Sequence, residues 1–136
     1  MVEMELNKIV IDENRHEQLI VLKEKDGERV MPIVIGLNEI AAIKSKISGV
    51  NPPRPITHDL LFSVINVLEA RVEKIIIDKL ENNIFYAKVV FKTKSGETKI
   101  ADARPSDSIA LCVRAKAPIF VEEDVLKQME AFNKGK

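Results

Sequence analysis

The sequence predicts an α+β domain made of two similar strand-strand-strand-helix units, which form a mixed or antiparallel sheet with flanking helices. Two observations predict this class. Short segments of the first half align with the second half after a shift of 66 to 69 positions: 8–12 with 74–78, 25–28 with 94–97, and 39–43 with 108–112. In each half, apolar runs separated by turns precede a helical pattern. We therefore expect an internal duplication over about residues 8–46 and 74–115.

The first copy is predicted to contain three strands and one helix. The strand segments are rich in Ile, Val and Leu, and Gly27 lies in the turn between the second and third. The predicted strands cover residues 6–11, 18–25 and 29–35, and the predicted helix covers residues 39–47. The linker that follows, residues 48–55, contains one glycine and three prolines and therefore does not form a helix.

An extra helix follows, so that linker and helix together occupy about residues 49–70. Its apolar side chains at helical spacing predict a stripe that packs on a core, with polar side chains opposite. The stripe contains Leu60, Leu61, Val64, Ile65 and Leu68, and the polar residues are Asp59, Ser63 and Asn66. We expect His58 at the margin of the stripe.

The second copy repeats the order of the first. The predicted strands cover residues 72–80, 84–94 and 97–103, and the predicted helix covers residues 106–115. A short apolar segment over 118–121 then predicts one more strand. Residues 122–132 predict a terminal helix, because acidic residues occupy its first turn, where they complement the helix dipole.

Length and charge limit the class of protein. A chain of 136 residues suits one domain with a real core, so we expect a single domain over 1–136. Basic and acidic residues both number 21, so any contact with nucleic acid has to be local. The single Cys112 excludes an internal disulfide and suits a reducing cytoplasm. No secretion signal or membrane span is recognisable, which favours a soluble, cytoplasmic protein without membrane contact.

Two predicted strands carry apolar residues at successive positions, 9–11 and 75–77. Successive side chains of a strand point to opposite faces of the sheet, so both faces are apolar there. A chain of this size has few helices to cover both faces. We therefore expect a homodimer.

Two short motifs hold the densest group of reactive side chains: Arg54-Pro55-Ile56-Thr57-His58-Asp59 and Arg104-Pro105-Ser106-Asp107. Each predicts a helix start at which Thr57 or Ser106 caps the free N–H groups, an aspartate faces the positive end of the dipole, and an arginine lies just outside. A helix N-terminus beside an arginine suits a phosphate. The candidate catalytic residues are therefore Arg54, His58, Asp59, Arg104 and Asp107.

Structural roles stay open for the same residues. Asp107 could pair with Arg104 as a brace at the helix start, or with Arg54 to hold the linker. His58 could be a hydrogen-bonded histidine at the margin of the core. A metal role is also open, because Asp59, Asp102 and Asp107 could hold Mg²⁺ or another divalent cation if the two helix starts converge.

The two copies are expected to differ at this motif. A shift of 69 positions aligns Arg104, Pro105 and Asp107 with Ile35, Gly36 and Asn38. The charged residues then occur in one copy alone, an asymmetry that packing does not require. We expect Glu39, at the start of the first helix, to complement the helix dipole.

Five segments in order resemble the bifunctional nuclease family, formerly a domain of unknown function. They are PIVIG at 32–36 with Glu39 and Ala42, RPITHDLL at 54–61, FYA at 85–87, ARPSDSIAL at 103–111 and APIFV at 117–121. The resemblance covers nearly the whole chain. It implies a compact α+β domain, usually a dimer, and the degradation of both RNA and DNA for which plant members are named. It brings no established catalytic residues to this sequence.

Two classes of function stay open. In a nuclease, Arg54 and Arg104 would clamp the scissile phosphate of RNA or DNA, His58 would be the general acid or base, and Asp59 and Asp107 would orient it or hold a cation. In a non-catalytic regulatory module, the same pocket would bind a small anion or the surface would bind a partner. The resemblance favours the nuclease, and the neutral net charge favours the module.

Overall fold

The computed structural model describes residues 1–12, 14 and 17–134. Within them the chain forms β1 Val2–Asp12, β2 Glu17–Glu24, β3 Val30–Ile35, α1 Leu37–Ile47, α2 Thr57–Val67, β4 Arg71–Glu81, β5 Ile84–Lys92, β6 Thr98–Ala103, α3 Pro105–Ala115, β7 Ile119–Val121 and α4 Glu123–Lys134. The α+β prediction is confirmed, and each predicted strand and helix is present with ends shifted by a few residues. No helix in the described part combines the length and apolar character that crossing a membrane requires.

All these strands lie in one sheet, in the order β3-β2-β1-β7-β4-β5-β6. β1 to β3 form one antiparallel meander, and β4 to β6 form a second. β7 lies between the two, antiparallel to β1 and parallel to β4, so the sheet is mixed. A strand from late in the chain therefore joins the two halves of the molecule.

The two halves share their strand order and details of their pairing. A β-bulge lies between Leu6 and Lys8 of β1, and another lies between Val72 and Lys74 of β4, 66 positions further along. This is the shift at which the two sequences align there. Bulges recur at fixed places in related structures, so the match is consistent with a duplication, which stays a prediction.

The shift of 69 positions that was predicted to align the two helix starts is wrong by one position. α1 and α3 begin 68 positions apart, because the hairpin closed by the pair Lys23 and Val30 encloses one residue more than the hairpin closed by the pair Lys92 and Thr98. Gly36 therefore corresponds to Arg104, and Glu39 corresponds to Asp107. A carboxylate thus occupies the first turn of the helix in both halves, and the N-cap residue is a glycine in the first half and an arginine in the second.

The core lies between the sheet and the helices. The largest fully buried side chains are Met4, Gln18, Ile20, Leu22, Met31, Ile43, Ile75, Ile77, Ile109, Leu111, Val121 and Leu126. Many of them alternate along their strands, because every second residue of a strand points to the same face. α3 packs against β4 and β5 and also against α1 and α2, which makes it the central helix of the structure.

The helix starts differ from the predicted caps. α2 begins at Thr57 itself, and Ile56 is the N-cap residue. Asp59 satisfies the free N–H of Ile56 instead, through its Oδ2 at 3.2 Å. α3 begins with Pro105, so Ser106 lies inside its first turn. Proline suits the first helical position because it has no N–H to leave unpaired.

Helix α2 buries a different face from the one its sequence pattern predicts. Ile65 is buried and Phe62 is partly buried, but the other members of the predicted stripe are exposed: Leu60, Leu61, Val64 and Leu68. The rotation of the helix follows from its first turn, where His58 and Asp59 both form polar contacts with α3. These contacts turn the predicted stripe towards solvent.

Candidate active site

A cleft of about 790 Å³ opens where the N-terminal turns of α1, α2 and α3 meet the end of β6. It is lined by four of the residues that the sequence singled out, His58, Asp102, Arg104 and Asp107. Glu39 also lies in its wall. The two helix-start motifs of the sequence therefore converge at one concave surface.

Four side chains form a continuous set of polar contacts in this cleft. Nε2 of His58 lies 2.9 Å from Oδ1 of Asp107. Nε of Arg104 donates to Oδ2 of the same carboxylate at 2.8 Å, and its Nη2 lies 3.2 Å from Oε1 of Glu39. Asp107 is held through both oxygens, and Arg104 bridges the first-turn carboxylates of α1 and α3.

These contacts keep Asp107 ionised. Burial raises the pKa of its carboxyl group, but the hydrogen bonds from Arg104 and His58 lower it by more, so the pKa lies below the ordinary value of 3.8. The hydrogen bond with Asp107 also raises the pKa of Arg104. An ionised carboxylate only accepts hydrogen bonds. Nε2 of His58 therefore carries the hydrogen in this contact.

In the neutral ring, His58 then has a free proton acceptor at Nδ1. No hydrogen bond to Nδ1 forms among the residues that the structure describes. The side chain is 15% exposed, and it lines the cleft. A histidine whose tautomer is fixed by a carboxylate on one nitrogen is arranged for general base catalysis at the other.

Asp59 takes part in a different contact, outside this cleft. Its Oδ1 accepts from Nε of Arg114 at 2.7 Å, and this hydrogen bond lowers the pKa of Asp59. Arg114 also donates to the carbonyl oxygens of Ala110 and Ala42, and its side chain is 2% exposed. The ion pair therefore connects α2, α3 and α1, which favours a structural role for Asp59.

The other predicted site residues, Arg54 and Asp102, do not take part in the contacts of His58, Arg104 and Asp107. Arg54 is exposed in the linker and is absent from the lining of the cleft. Asp102 lines the cleft but accepts a hydrogen bond from Lys88 at 3.1 Å. Asp59, Asp102 and Asp107 are thus paired with three different basic residues. In the described ranges, no group of three or more histidine, cysteine or acidic side chains is placed to hold a metal ion.

Two residues in these contacts were not predicted as site residues. Glu39 was expected only to complement the helix dipole, although it corresponds to Asp107 once the copies are aligned by 68 positions. Arg114 follows Ala110 and Leu111 in an apolar helical run. An arginine near a helix end is usually solvated, so nothing in that pattern indicates its burial.

Fold and cleft together define an α+β domain with a carboxylate-oriented histidine in an open site. The bifunctional nuclease domain matches residues 20–134 of the sequence. The chain therefore belongs to the bifunctional nuclease domain family, as the segments in the sequence suggested.

The chain is similar to proteins from a bacterium and from rice. An uncharacterized protein of Mycobacterium tuberculosis is 39% identical over 128 residues, which cover 94% of this chain and 76% of the relative. Bifunctional nuclease 2 of rice, Oryza sativa subsp. japonica, is 30% identical over 119 residues, covering 85% of this chain and 36% of the relative. Bifunctional nuclease 1 of the same plant is 26% identical, with 34% of its length covered. This chain spans about a third of the rice proteins.

Proposed function

We propose that this protein hydrolyses phosphodiester bonds of RNA or DNA in the cleft of His58, Arg104 and Asp107. Membership of the bifunctional nuclease domain family supports the reaction class. The observation that carries the proposal is the contact between Nε2 of His58 and the ionised Asp107, in a histidine that lines an open cleft and has no hydrogen bond to Nδ1 among the described residues. The buried, single Cys112 suits a reducing cytoplasm, where we expect the protein to act.

Each residue has a separate task in this reaction. Nδ1 of His58 takes a proton from the attacking water, whose oxygen bonds to phosphorus while the bond to the leaving oxygen breaks. The imidazolium then returns a proton to the leaving oxygen. Asp107 orients the ring and stabilises the imidazolium, as the carboxylate does in other histidine-carboxylate pairs.

Arg104 supplies the positive charge for the phosphate. Its Nε and Nη2 face Asp107 and Glu39, whereas Nη1 has no partner among the described residues, and the side chain is 66% exposed. A guanidinium held on two sides is fixed in place, so its remaining N–H groups stay directed while charge develops on the phosphate. Arg54, exposed on the neighbouring linker, is a candidate for holding the next phosphate of the strand.

The charge of the cleft supports a second candidate, a non-catalytic module that binds a partner. Glu39, Asp102 and Asp107 bring three carboxylates to the lining, against the guanidinium of Arg104 and the amine of Lys88 that pairs with Asp102. Such a lining repels a free anion more than it attracts one. The charge therefore favours a neutral or cationic partner for a binding module over the small anion that the motifs alone suggest.

His58→Ala tests which candidate is correct. We expect cleavage of single-stranded RNA or DNA to fall by about 10²–10⁴-fold, because the proton acceptor is lost. The assay uses protein free of contaminating nuclease, with Mg²⁺, with Mn²⁺ and with a chelator. Ser63→Ala is the matched control, since Ser63 is exposed on the same helix and does not line the cleft.

Three results bear on the proposal. Activity in the wild type and in Ser63→Ala, together with its loss in a folded His58→Ala protein, supports the nuclease. Cleavage that survives in His58→Ala rejects the assigned proton acceptor. Wild-type protein that cleaves neither nucleic acid under any of these conditions rejects the nuclease and leaves the binding module.

A further inference from the structure

A second cavity, of about 560 Å³, lies between the β2–β3 hairpin, the turn from β4 to β5, and α4. Among the described residues, six apolar residues and three with carboxamide side chains line it. Its apolar wall includes Leu19, Val34, Phe85 and Met129. Phe85 and Met129 are partly buried and pack against the core, so the wall is anchored to the main fold. The volume is typical of small-molecule sites, which are concave and largely apolar.

The three carboxamides belong to Asn82, Asn83 and Gln128. We call the cavity, with its apolar wall and these three residues, the amide pocket. Asn82 and Asn83 form the two-residue turn closed by Glu81 and Ile84, and both have a positive φ, which asparagine adopts more readily than most residues. The turn therefore explains the two asparagines but not Gln128, which lies in α4. None of the three carboxamides has a hydrogen-bond partner among the described residues, so their donors and acceptors are available to a ligand.

The amide pocket differs from the cleft in its charge. No charged residue in the described part of the chain lines it, although 31% of all residues are charged. An ion bound there would lose part of its hydration without meeting an opposite charge. The amide pocket therefore suits an uncharged ligand that combines apolar surface with hydrogen-bond donors and acceptors.

A nucleobase has this combination of properties. Its flat ring can lie against the aromatic side chain of Phe85, as bases do on the aromatic residues of proteins that bind single strands. Its edge carries uncharged donors and acceptors. Asn and Gln pair with adenine through one donor and one acceptor, whereas Arg or Lys reads guanine and Asp or Glu reads the amino group of cytosine. The described lining contains carboxamides and none of these charged groups, so its chemistry favours adenine.

A third cavity, of about 390 Å³, lies between the cleft and the amide pocket. It shares Glu39 and Arg104 with the cleft. It shares Val34, Asn83 and Phe85 with the amide pocket. The three cavities therefore follow one another along the surface, and Arg104 lies where the cleft meets the third cavity. A strand whose phosphate is bound by Arg104 can thus place a base from further along in the amide pocket.

We propose that the amide pocket binds an adenine base of the strand whose phosphate lies at Arg104. The strand comes from the proposed function, on which this part of the inference rests, whereas the recognition of adenine rests on the amide pocket alone. Phe85 supports the ring, and the carboxamides bind its N6 amino group and N7. The amide pocket then selects strands by their bases, which contacts to phosphates do not do.

Nucleosides test the amide pocket without cleavage, because they contain no phosphodiester bond. In an NMR titration of the wild type, we expect adenosine to bind about 5- to 150-fold more tightly than guanosine, cytidine or uridine. Gln128→Ala removes a carboxamide and Val34→Trp fills the cavity, so each should weaken adenosine binding by a similar factor. Asn66→Ala is the matched control, since it removes an exposed carboxamide from a helix and lines none of the three cavities.

Strands separate an adenine within a nucleic acid from a free adenine compound. The His58→Ala protein is titrated with a short labelled thymine strand and with the same strand carrying one adenine, and fluorescence anisotropy gives the two affinities. We expect the strand with adenine to bind at least about fivefold more tightly. Adding Gln128→Ala to this protein should remove the difference and leave the affinity for the thymine strand unchanged.

The outcomes distinguish this proposal from the nuclease activity. Adenosine binding that both pocket variants weaken, together with a strand preference that Gln128→Ala removes, supports the proposal, even in a protein that cleaves nothing. Equal binding of the four nucleosides, no binding, or unchanged binding in both pocket variants overturns it, even in an active nuclease. Adenosine binding without a strand preference overturns the link to the strand and assigns the amide pocket to a free adenine compound.

Discussion

Arg114 lies near the end of α3 with its guanidinium almost fully buried, and Asp59 of α2 is its only carboxylate partner among the described residues. Two backbone carbonyl oxygens accept from its Nη1 and Nη2. Each nitrogen of the buried guanidinium thus has one acceptor, which offsets part of the cost of its desolvation. Arg114 therefore gives Asp59 a structural role, although Asp59 does not line the cleft.

Asp59→Ala should lower the free energy of unfolding by about 2–3 kcal/mol, because it leaves Arg114 buried without its counter-charge and removes the acceptor for the N–H of Ile56. Urea unfolding at neutral pH measures the change. Asp124→Ala is the control, since Asp124 also lies in the first turn of a helix but is exposed. An equal, small effect of the two substitutions would contradict the structural role of Asp59.

The sequence pointed to the residues that meet in the cleft but not to the buried pair of Asp59 and Arg114. His58, Arg104 and Asp107 could be expected near one another because they belong to two similar motifs at helix starts. The pairing of Asp59 with Arg114 could not, because the two residues are 55 positions apart and an arginine in a helix shows no periodicity of its own. Only the packing of α2 on α3 brings them together.

At the scale of elements, the strands were predictable and the orientation of α2 was not. Alternating or continuous apolar residues between turns define a strand locally, so the predicted and observed segments overlap throughout. An amphipathic pattern on a helix indicates an apolar face but not what covers it. The buried face of α2 is set by polar contacts of His58 and Asp59 with another helix.

The contact between α2 and α3 should depend on pH through Asp107. The pKa of Asp107 is lowered in the folded protein, so its contribution to stability is complete above the ordinary value of 3.8 and is lost as the pH falls through the lowered pKa. Asp107→Asn should therefore cost about 1 kcal/mol near neutral pH and progressively less in acid. Unfolding curves measured from pH 7 to pH 2 follow the difference.

A suitable control is Asp26→Asn, because Asp26 lies exposed in the turn between β2 and β3. Its difference from the wild type should stay small over the whole pH range. If the loss of stability caused by Asp107→Asn increased as the pH fell, the pKa of Asp107 would be raised in the folded protein and not lowered.

At the scale of the whole molecule, β7 makes one folding unit of two similar halves. Met4 and Ile75 both pair with Ile119, and Val2 and Ile77 both pair with Val121. Val121 is completely buried. If β7 is lost, β1 and β4 each have an unpaired edge, so both meanders lose a partner at once. We therefore expect the described domain to unfold as a unit.

Val121→Ala should lower the free energy of unfolding by about 2 kcal/mol and should reduce amide protection equally in β2 and β5, which lie in opposite halves. Hydrogen exchange followed by mass spectrometry measures both strands in one experiment. Val34→Ala makes the same chemical change at an exposed position and should have little effect. Loss of protection confined to β4, β5 and β6 would indicate that the halves unfold separately.

The position of β7 also has a kinetic consequence. The pairing of Val2 with Val121 connects residues at almost opposite ends of the described chain, and the entropy of closing so long a loop has to be lost before that contact contributes. Chains dominated by such distant pairings fold in milliseconds to seconds, whereas hairpins form in about 1–10 μs. Both meanders can therefore form early. Until β7 docks, β1 and β4 each have backbone N–H and C=O groups without hydrogen-bond partners along one edge. During that interval the edges of β1 and β4 are free to pair with other chains, which makes the period before β7 docks the time of greatest risk of aggregation.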